Sequence, residues 1–158
     1  GTPRPHKGLD DLIEAIKLSD FEELKLMLVG DQPDDPYVKS LCQGGGQRVK
    51  HLGYQPHALM PEFLTVADMV VLPQQLNIIA KAQIPGKIFE AMAMAKPIIA
   101  TRISDLPEIL EGCGLIVPPG NPPELAQAIT SILSDSEEAL EMGRRARRRA
   151  TGITSGER

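Results

Sequence analysis

The 158-residue sequence predicts an α/β domain built on a parallel sheet with helices on both faces. Short runs that are apolar at nearly every position, such as LKLMLVG (24–30) and MVVLP (69–73), read as strands buried on both sides. Between these runs apolar residues return at a helical period, so helix and strand alternate along the chain. That alternation is the Rossmann-like, doubly wound arrangement in three α/β/α layers, and the length suits one such domain with one sizeable core.

Taken in order, Leu9, Leu12, Ile13 and Ile16 fall at i, i+3, i+4 and i+7 and make an amphipathic helix. LKLMLVG follows as a strand closed by Gly30, and DDPYVKSLCQ (34–43) reads as a weak helix stopped by GGG (44–46). RVKHLG (48–53) is a strand, PHALMPEFLTVA (56–67) a helix that Pro61 interrupts, and MVVLP a strand. A long loop, 73–86, leads to a helix over 86–95, the strand KPIIAT (96–101), a short helix near 105–111 and the strand GLIVPPG (114–120). The next helix announces its start: Asn121 is the N-cap, Pro122 suits N1, and Glu124 at N3 completes a capping box. Leu125, Ala128, Ile129, Ile132 and Leu133 form its apolar stripe. A strongly charged helix over 136–150 closes the predicted domain, 1–150, leaving 151–158 as a tail.

Composition narrows the function. There is no Trp and aromatics are 3%, so the core is aliphatic. The net charge is −4, and setting aside the five arginines of RRARRR (144–149) leaves the rest at −9. An acidic body excludes nonspecific nucleic-acid binding as the main task. The arginine run reads as a solvated terminal helix whose cations offset its negative C-terminal end, with peripheral contact to anionic lipid open as a second reading. Cys42 and Cys113 are far apart, form no CxxC, and fit free thiols of a cytoplasmic protein. No apolar run approaches the ~18–20 residues of a membrane span. GTPRPHKG at the start has no signal-peptide core and reads as a loop with no strand before it, as expected of a chain cut from something longer. His6, His51 and His57 have no carboxylate or Cys at metal-ligand spacing, so no metal is expected. There is also no GxSxG, Walker loop or GxGxxG.

In a doubly wound sheet, ligands bind beyond the C-terminal strand ends, which directs attention to loops 1–8, 30–34, 53–57, 73–86 and 101–105. Arg4 and Lys7 precede a helix and Gly8, a set suited to phosphate, though each cation alone also fits a solvated loop. Loop 73–86 ends in Pro85-Gly86, which opens a helix while leaving its amides uncovered. Lys87 in that first turn faces the positive end of the helix dipole, a position that an anion would make favourable. Glu90, one turn on, offers two acceptor oxygens to a vicinal diol such as ribose. The bland alternative is a Lys87–Glu90 pair worth ~0.2–0.5 kcal/mol. Because the helix is apolar almost all round (Ile88, Phe89, Ala91, Met92, Ala93, Met94), it is expected to be buried, and a carboxylate there needs partners.

HKGLDDLIEA, LVGD, HLGY, ADMVVLP, GKIFEAMAMAKPIIAT and GLIVPPGNPPELAQAI together resemble, in order and spacing, the C-terminal domain of the group 1 glycosyltransferases. The resemblance runs from Gly1 to about Arg149 and implies one half of a retaining GT-B enzyme, the half that binds a nucleotide-sugar donor. It implies that Lys7 contacts the donor diphosphate, with Arg4 in place of a companion arginine that usually stands directly after the loop glycine, where this chain has Thr2. Gly86 and Lys87 join the diphosphate site, and Glu90 resembles the second glutamate of an E-x7-E motif that holds the ribose hydroxyls. The first glutamate of that motif falls at Ala82, whereas Pro85–Glu90 fit a P-x-K-hydrophobic-x-E version of the loop. Gly53, Tyr54 and Gln55 resemble the turn near the base.

The implied function is transfer of a sugar from a nucleoside diphosphate donor, UDP- or GDP-linked, to an acceptor hydroxyl with retention. The donor is a substrate, so no cofactor and no metal is expected. No catalytic residue is assigned within this domain, because the acceptor side belongs to an N-terminal domain outside the chain. The fragment alone is expected to bind nucleotide weakly and transfer nothing, and the full-length enzyme to be cytoplasmic, with membrane association left open. The competing reading is a non-catalytic nucleotide-binding module of the same fold.

Overall fold

The computed structural model describes residues 7–30, 34–76 and 86–155. Arg4, His6, Ala82 and Pro85 lie outside the described residues.

Helices and strands alternate as α1 (Leu9–Leu18), β1 (Leu26–Leu28), α2 (Pro36–Gly45), β2 (Val49–His51), α3 (Met60–Val66), β3 (Val70–Leu72), α4 (Lys87–Ala93), β4 (Ile98–Thr101), α5 (Leu106–Ile109), β5 (Leu115–Val117), α6 (Pro122–Ser134) and α7 (Ser136–Ser155). Every strand pairing is parallel: Leu26 stands opposite Val49, Val70 opposite Ile98, and Ile99 opposite Leu115. The pairings form two sheets, β1–β2 and β3–β4–β5.

β4 shows why its sequence has no polar alternation. Ile98 and Ala100 face one core with Ile88, Met92, Leu106 and Ala146, from α4, α5 and α7. Ile99, one position over, faces a second core with Leu12, Ile16, Leu125 and Ile129, from α1 and α6. A strand covered by helices on both sides has no wet face, so every position is apolar or, at Thr101, hydrogen-bonded. A third cluster of Ile13, Leu28 and Leu41 seats α2 beside α1 on the same side of the sheet.

The starts of α6 and α2 follow their sequence signals. Asn121 Oδ1 accepts from the Glu124 amide at 3.1 Å, and Asp35 Oδ1 accepts from Tyr37 and Val38 at 2.9 and 3.1 Å. GGG stops α2 as expected: the helix ends at Gly45, Gly46 caps it with a left-handed φ of 59°, and a 3₁₀ turn runs over 46–48. Two expectations need correction. α4 is not buried all round: Ile88, Ala91 and Met92 are, but Phe89 is 42% exposed. A helix in an outer layer keeps one side toward solvent however apolar its sequence. The charged helix runs to Ser155, so RRARRR lies mid-helix and the last turn carries no basic residue.

The arginines therefore do something other than offset a helix end. Arg145 Nε donates to the Gly112 carbonyl at 2.9 Å and Arg149 Nη2 to the Glu108 carbonyl at 2.8 Å, fastening α7 to the α5 segment. Arg145 also meets Glu138 at 2.7 Å, while Arg144 and Arg148 share Glu141 at 3.4 and 3.1 Å. Among the described residues, no helix is long and apolar enough to cross a membrane.

Gly143 is where α7 comes closest to the rest of the fold. A Cβ there would overlap the carbonyl of Ala95, which itself takes the left-handed conformation at φ 57° after α4. Gly143→Ala should lower stability by about 1–3 kcal/mol through overpacking against backbone that cannot swing aside. Gly152→Ala, where an added Cβ meets nothing, should cause no loss. Urea unfolding midpoints of the two variants check the contrast.

Candidate functional site

The site is assembled by a backbone contact at the end of β3. Gly8 caps α1 in the left-handed conformation at φ 73°, and a Cβ on it would overlap the Pro73 carbonyl. Only glycine permits both features, and the result is that the start of α1 lies against the C-terminal end of β3. The residues after Pro73 are also held. Thr101 Oγ1 donates to the Gln74 carbonyl at 2.7 Å, and Gln75 Nε2 reaches Asp11 at 3.4 Å.

As a consequence Lys7, Gly86 and Lys87 line one cavity of about 1540 Å³, together with Pro73 and Gln74. These are the described members of the phosphate set expected from the sequence, brought together from two loops far apart in the chain. Lys87 opens α4, and burial holds its pKa below the usual lysine value, while the Glu90 carboxylate pulls it back up.

Glu90 is half-buried and does not line that cavity. Its carboxylate stands 3.2 Å from His57 Nε2, in the short helical turn that follows β2. His57 belongs to the 53–57 loop beyond a strand end, and its type and spacing mark it only as a metal-ligand candidate without partners. Nothing in the spacing signals that this turn meets α4. The pair bridges the two sheets at their C-terminal ends.

Gly53, Tyr54 and Gln55 form the turn just after β2. The Gly53 carbonyl accepts from the Gly30 amide at 2.8 Å, and His51 Nε2 lies 2.8 Å from the Gly30 carbonyl, so the ends of β1 and β2 are tied together. Gln55 spends its amide on the Leu52 carbonyl at 2.9 Å, while Tyr54 is 74% exposed and projects freely. Of the three, Tyr54 is the side chain with surface to offer a ligand.

The parallel sheets with flanking helices match domains of GT-B glycosyltransferases. The Anabaena protein Alr3699/HepE, solved in complex with UDP, superposes with a TM-score of 0.84 at 27% identity, over 96% of this chain and 42% of that one. The C-terminal domain of a glycosyl transferase group 1 family protein (LpcC) from Francisella tularensis shares the fold, with a TM-score of 0.79 at 22% identity over 99% of this chain and 83% of that one. Residues 1–135 match the family described as glycosyl transferases group 1, and the chain belongs to that family. One relative is the alpha-D-kanosaminyltransferase of Streptomyces kanamyceticus, 29% identical over 140 residues, covering 83% of this chain and 34% of that protein. The chain spans 34–38% of the length of the first curated relatives it matches.

The desolvated Lys87 gives a test of the site's electrostatics. A lysine whose folded pKa is depressed weakens the fold wherever it is charged in both states, and the penalty fades as pH rises toward the ordinary lysine value. Lys87→Met should therefore be more stable than wild type at neutral pH, with the gap narrowing toward about pH 10. Urea unfolding at the two pH values checks both the sign and the trend.

Proposed function

We propose that this chain is the donor-binding, C-terminal half of a retaining glycosyltransferase that moves a sugar from a nucleoside diphosphate to an acceptor hydroxyl. The observation that carries the reading is the convergence of Lys7, Gly86 and Lys87 on one cavity at the C-terminal strand ends, in a chain of the group 1 family. The fold likeness to a domain that is C-terminal in its own protein supports the position of this half, and the UDP and UDP-glucose complexes of Alr3699/HepE support the donor class.

Lys7 and Lys87 would meet the diphosphate. As the bond to the sugar breaks, negative charge grows on the leaving diphosphate, and two fixed cations stabilise it without supplying a nucleophile. A phosphate beside Lys87 also relieves the burial of its charge. No metal is given a role. Glu90 accepts from the ribose hydroxyls, with His57 holding its carboxylate, and the Gly53–Gln55 turn presents Tyr54 toward the base. The acceptor, and the groups that face the sugar, belong to an N-terminal domain that this chain does not include. Alone, it binds nucleotide and transfers nothing.

Titrations with UDP, GDP and ADP, followed by NMR or thermal shift, test the assignment. One nucleotide should bind best, and Lys7→Ala should weaken it about 10- to 100-fold, the effect of losing a charge-assisted hydrogen bond worth ~1.5–3 kcal/mol. Glu90→Ala should erase the preference for the ribonucleotide over its 2′,3′-dideoxy analogue. Equal binding by all three proteins would remove Lys7 and Glu90 from the site. Sugar transfer by the chain alone would overturn the half-enzyme reading.

A further inference from the structure

Gln74 is a buried polar side chain at the candidate site to which the donor reading gives no role. It follows Pro73 at the C-terminal end of β3, is 6% exposed, and lines the cavity with Lys7, Gly86 and Lys87. Its Oε1 is buried and has no hydrogen-bond partner among the described residues. Thr101 is the other buried polar residue among those described, and it is satisfied, since its hydroxyl donates to the Gln74 backbone carbonyl at 2.7 Å. A buried oxygen left without a donor costs about 1–3 kcal/mol. A methionine would fill nearly the same space without that cost, so the amide calls for a function. We propose that Gln74 is a specificity-determining residue: its side-chain oxygen accepts a hydrogen bond from a hydroxyl of the transferred sugar. This role rests on the donor reading of the same site and extends it at one point. Besides the groups of the N-terminal domain, one group of this chain meets the sugar.

The chemistry of the atom selects its partner. An amide oxygen only accepts, and the oxygens of a diphosphate are acceptors too, so the phosphates do not satisfy it; a hydroxyl does. In the donor reading the ribose hydroxyls already have Glu90. Neither Glu90 nor Tyr54 lines the cavity, and Glu90 is turned toward the segment after β2 by its contact with His57. Gln74 is tied the other way, through its carbonyl, to Thr101 at the end of β4, the neighbour of β3 in its own sheet. A diphosphate held by Lys7 and Lys87 then has its nucleoside end toward the 53–57 turn and its sugar end toward Gln74.

The backbone that carries this side chain is fixed before any ligand arrives. Position 73 lies against Gly8, position 74 accepts from Thr101, and Gln75 Nε2 reaches Asp11 at 3.4 Å. A group on such a segment loses little freedom on binding, so most of the worth of its hydrogen bond reaches the affinity. The amide itself is the part left to adjust. Its last torsion is broad and roughly two-fold, so the oxygen turns toward a hydroxyl in the cavity without moving the backbone. A hydroxyl that arrives there relieves an unpaired acceptor and displaces no described protein donor.

The test compares UDP, GDP and ADP with UDP-glucose, GDP-mannose and ADP-glucose in NMR titrations of wild type, Gln74→Met and Gln74→Glu. For the nucleotide that binds best, Gln74→Met should lower the ratio of sugar-nucleotide to nucleotide affinity about 3- to 10-fold, the effect of losing one neutral hydrogen bond. Affinity for the free nucleotide should stay within about twofold. Gln74→Glu keeps an acceptor, so the ratio should persist while both affinities fall through repulsion of the diphosphate. Without ligand, the urea midpoint of Gln74→Met should equal or exceed that of wild type, because the fold no longer holds an unpaired oxygen. A clear fall in that midpoint, or failure to fold, means the amide is already partnered and overturns the proposal. Equal losses for nucleotide and sugar nucleotide overturn it as well, since Gln74 would then serve the phosphates. If nucleotides bind and the ratio is unchanged, Gln74 alone leaves the site. If no nucleotide binds wild type, the donor reading falls and this role with it.

Discussion

The approach of Gly8 to the Pro73 carbonyl is the contact on which the candidate site depends. It joins the start of α1 to the end of β3, two points separated by most of the chain's first half. With a side chain at position 8 the loop would have to lift off the strand end, and Lys7 would leave the cavity that Gly86 and Lys87 line. The left-handed φ serves the same end, turning the backbone into the helix within one residue. A single missing Cβ thus sets how closely Lys7 approaches the cavity wall that Gly86 and Lys87 share.

On the opposite face the same device fixes α4. Its inward residues Ile88, Ala91 and Met92 pack in the core with Ala146 and Ala150 of α7, and Gly143 lets α7 approach the turn after α4. The arginine–glutamate pairs along α7 are solvent-exposed and contribute little. Position is specified by the glycine contact and by Arg145 and Arg149, which donate to backbone carbonyls that cannot move independently. Lys87 and Glu90 project from a helix seated on one side and open on the other.

Much of this was legible in the sequence because it is local. The cap at Asn121 is written in four consecutive residues, and the two-sided burial of β4 in its unbroken apolar run. What escaped was relational. The exposure of Phe89 depends on which layer α4 occupies, and short helices rich in Ala and Met do not encode that. In sequence RRARRR reads as a helix end, yet its guanidinium groups find acceptors on α5 and the loop beyond it, and the helix continues. The contact of His57 with Glu90 joins loop tips of different sheets, a fact of topology that no spacing within either segment records.

Topology also explains why cations gather here. α1 and α4 pack in separate cores on opposite faces of β4, so their N-terminal ends diverge and leave a crevice between them. Lys7 stands on one side of that crevice and Lys87 on the other. The nearest carboxylate on α4, Glu90, is engaged by His57, so it does not neutralise both lysines. Burial depresses the pKa of Lys87, which means the fold accepts a local penalty to keep a cation there. Such a penalty is common where charge is used, and in the reading proposed above a diphosphate, with its extended negative charge, would relieve it.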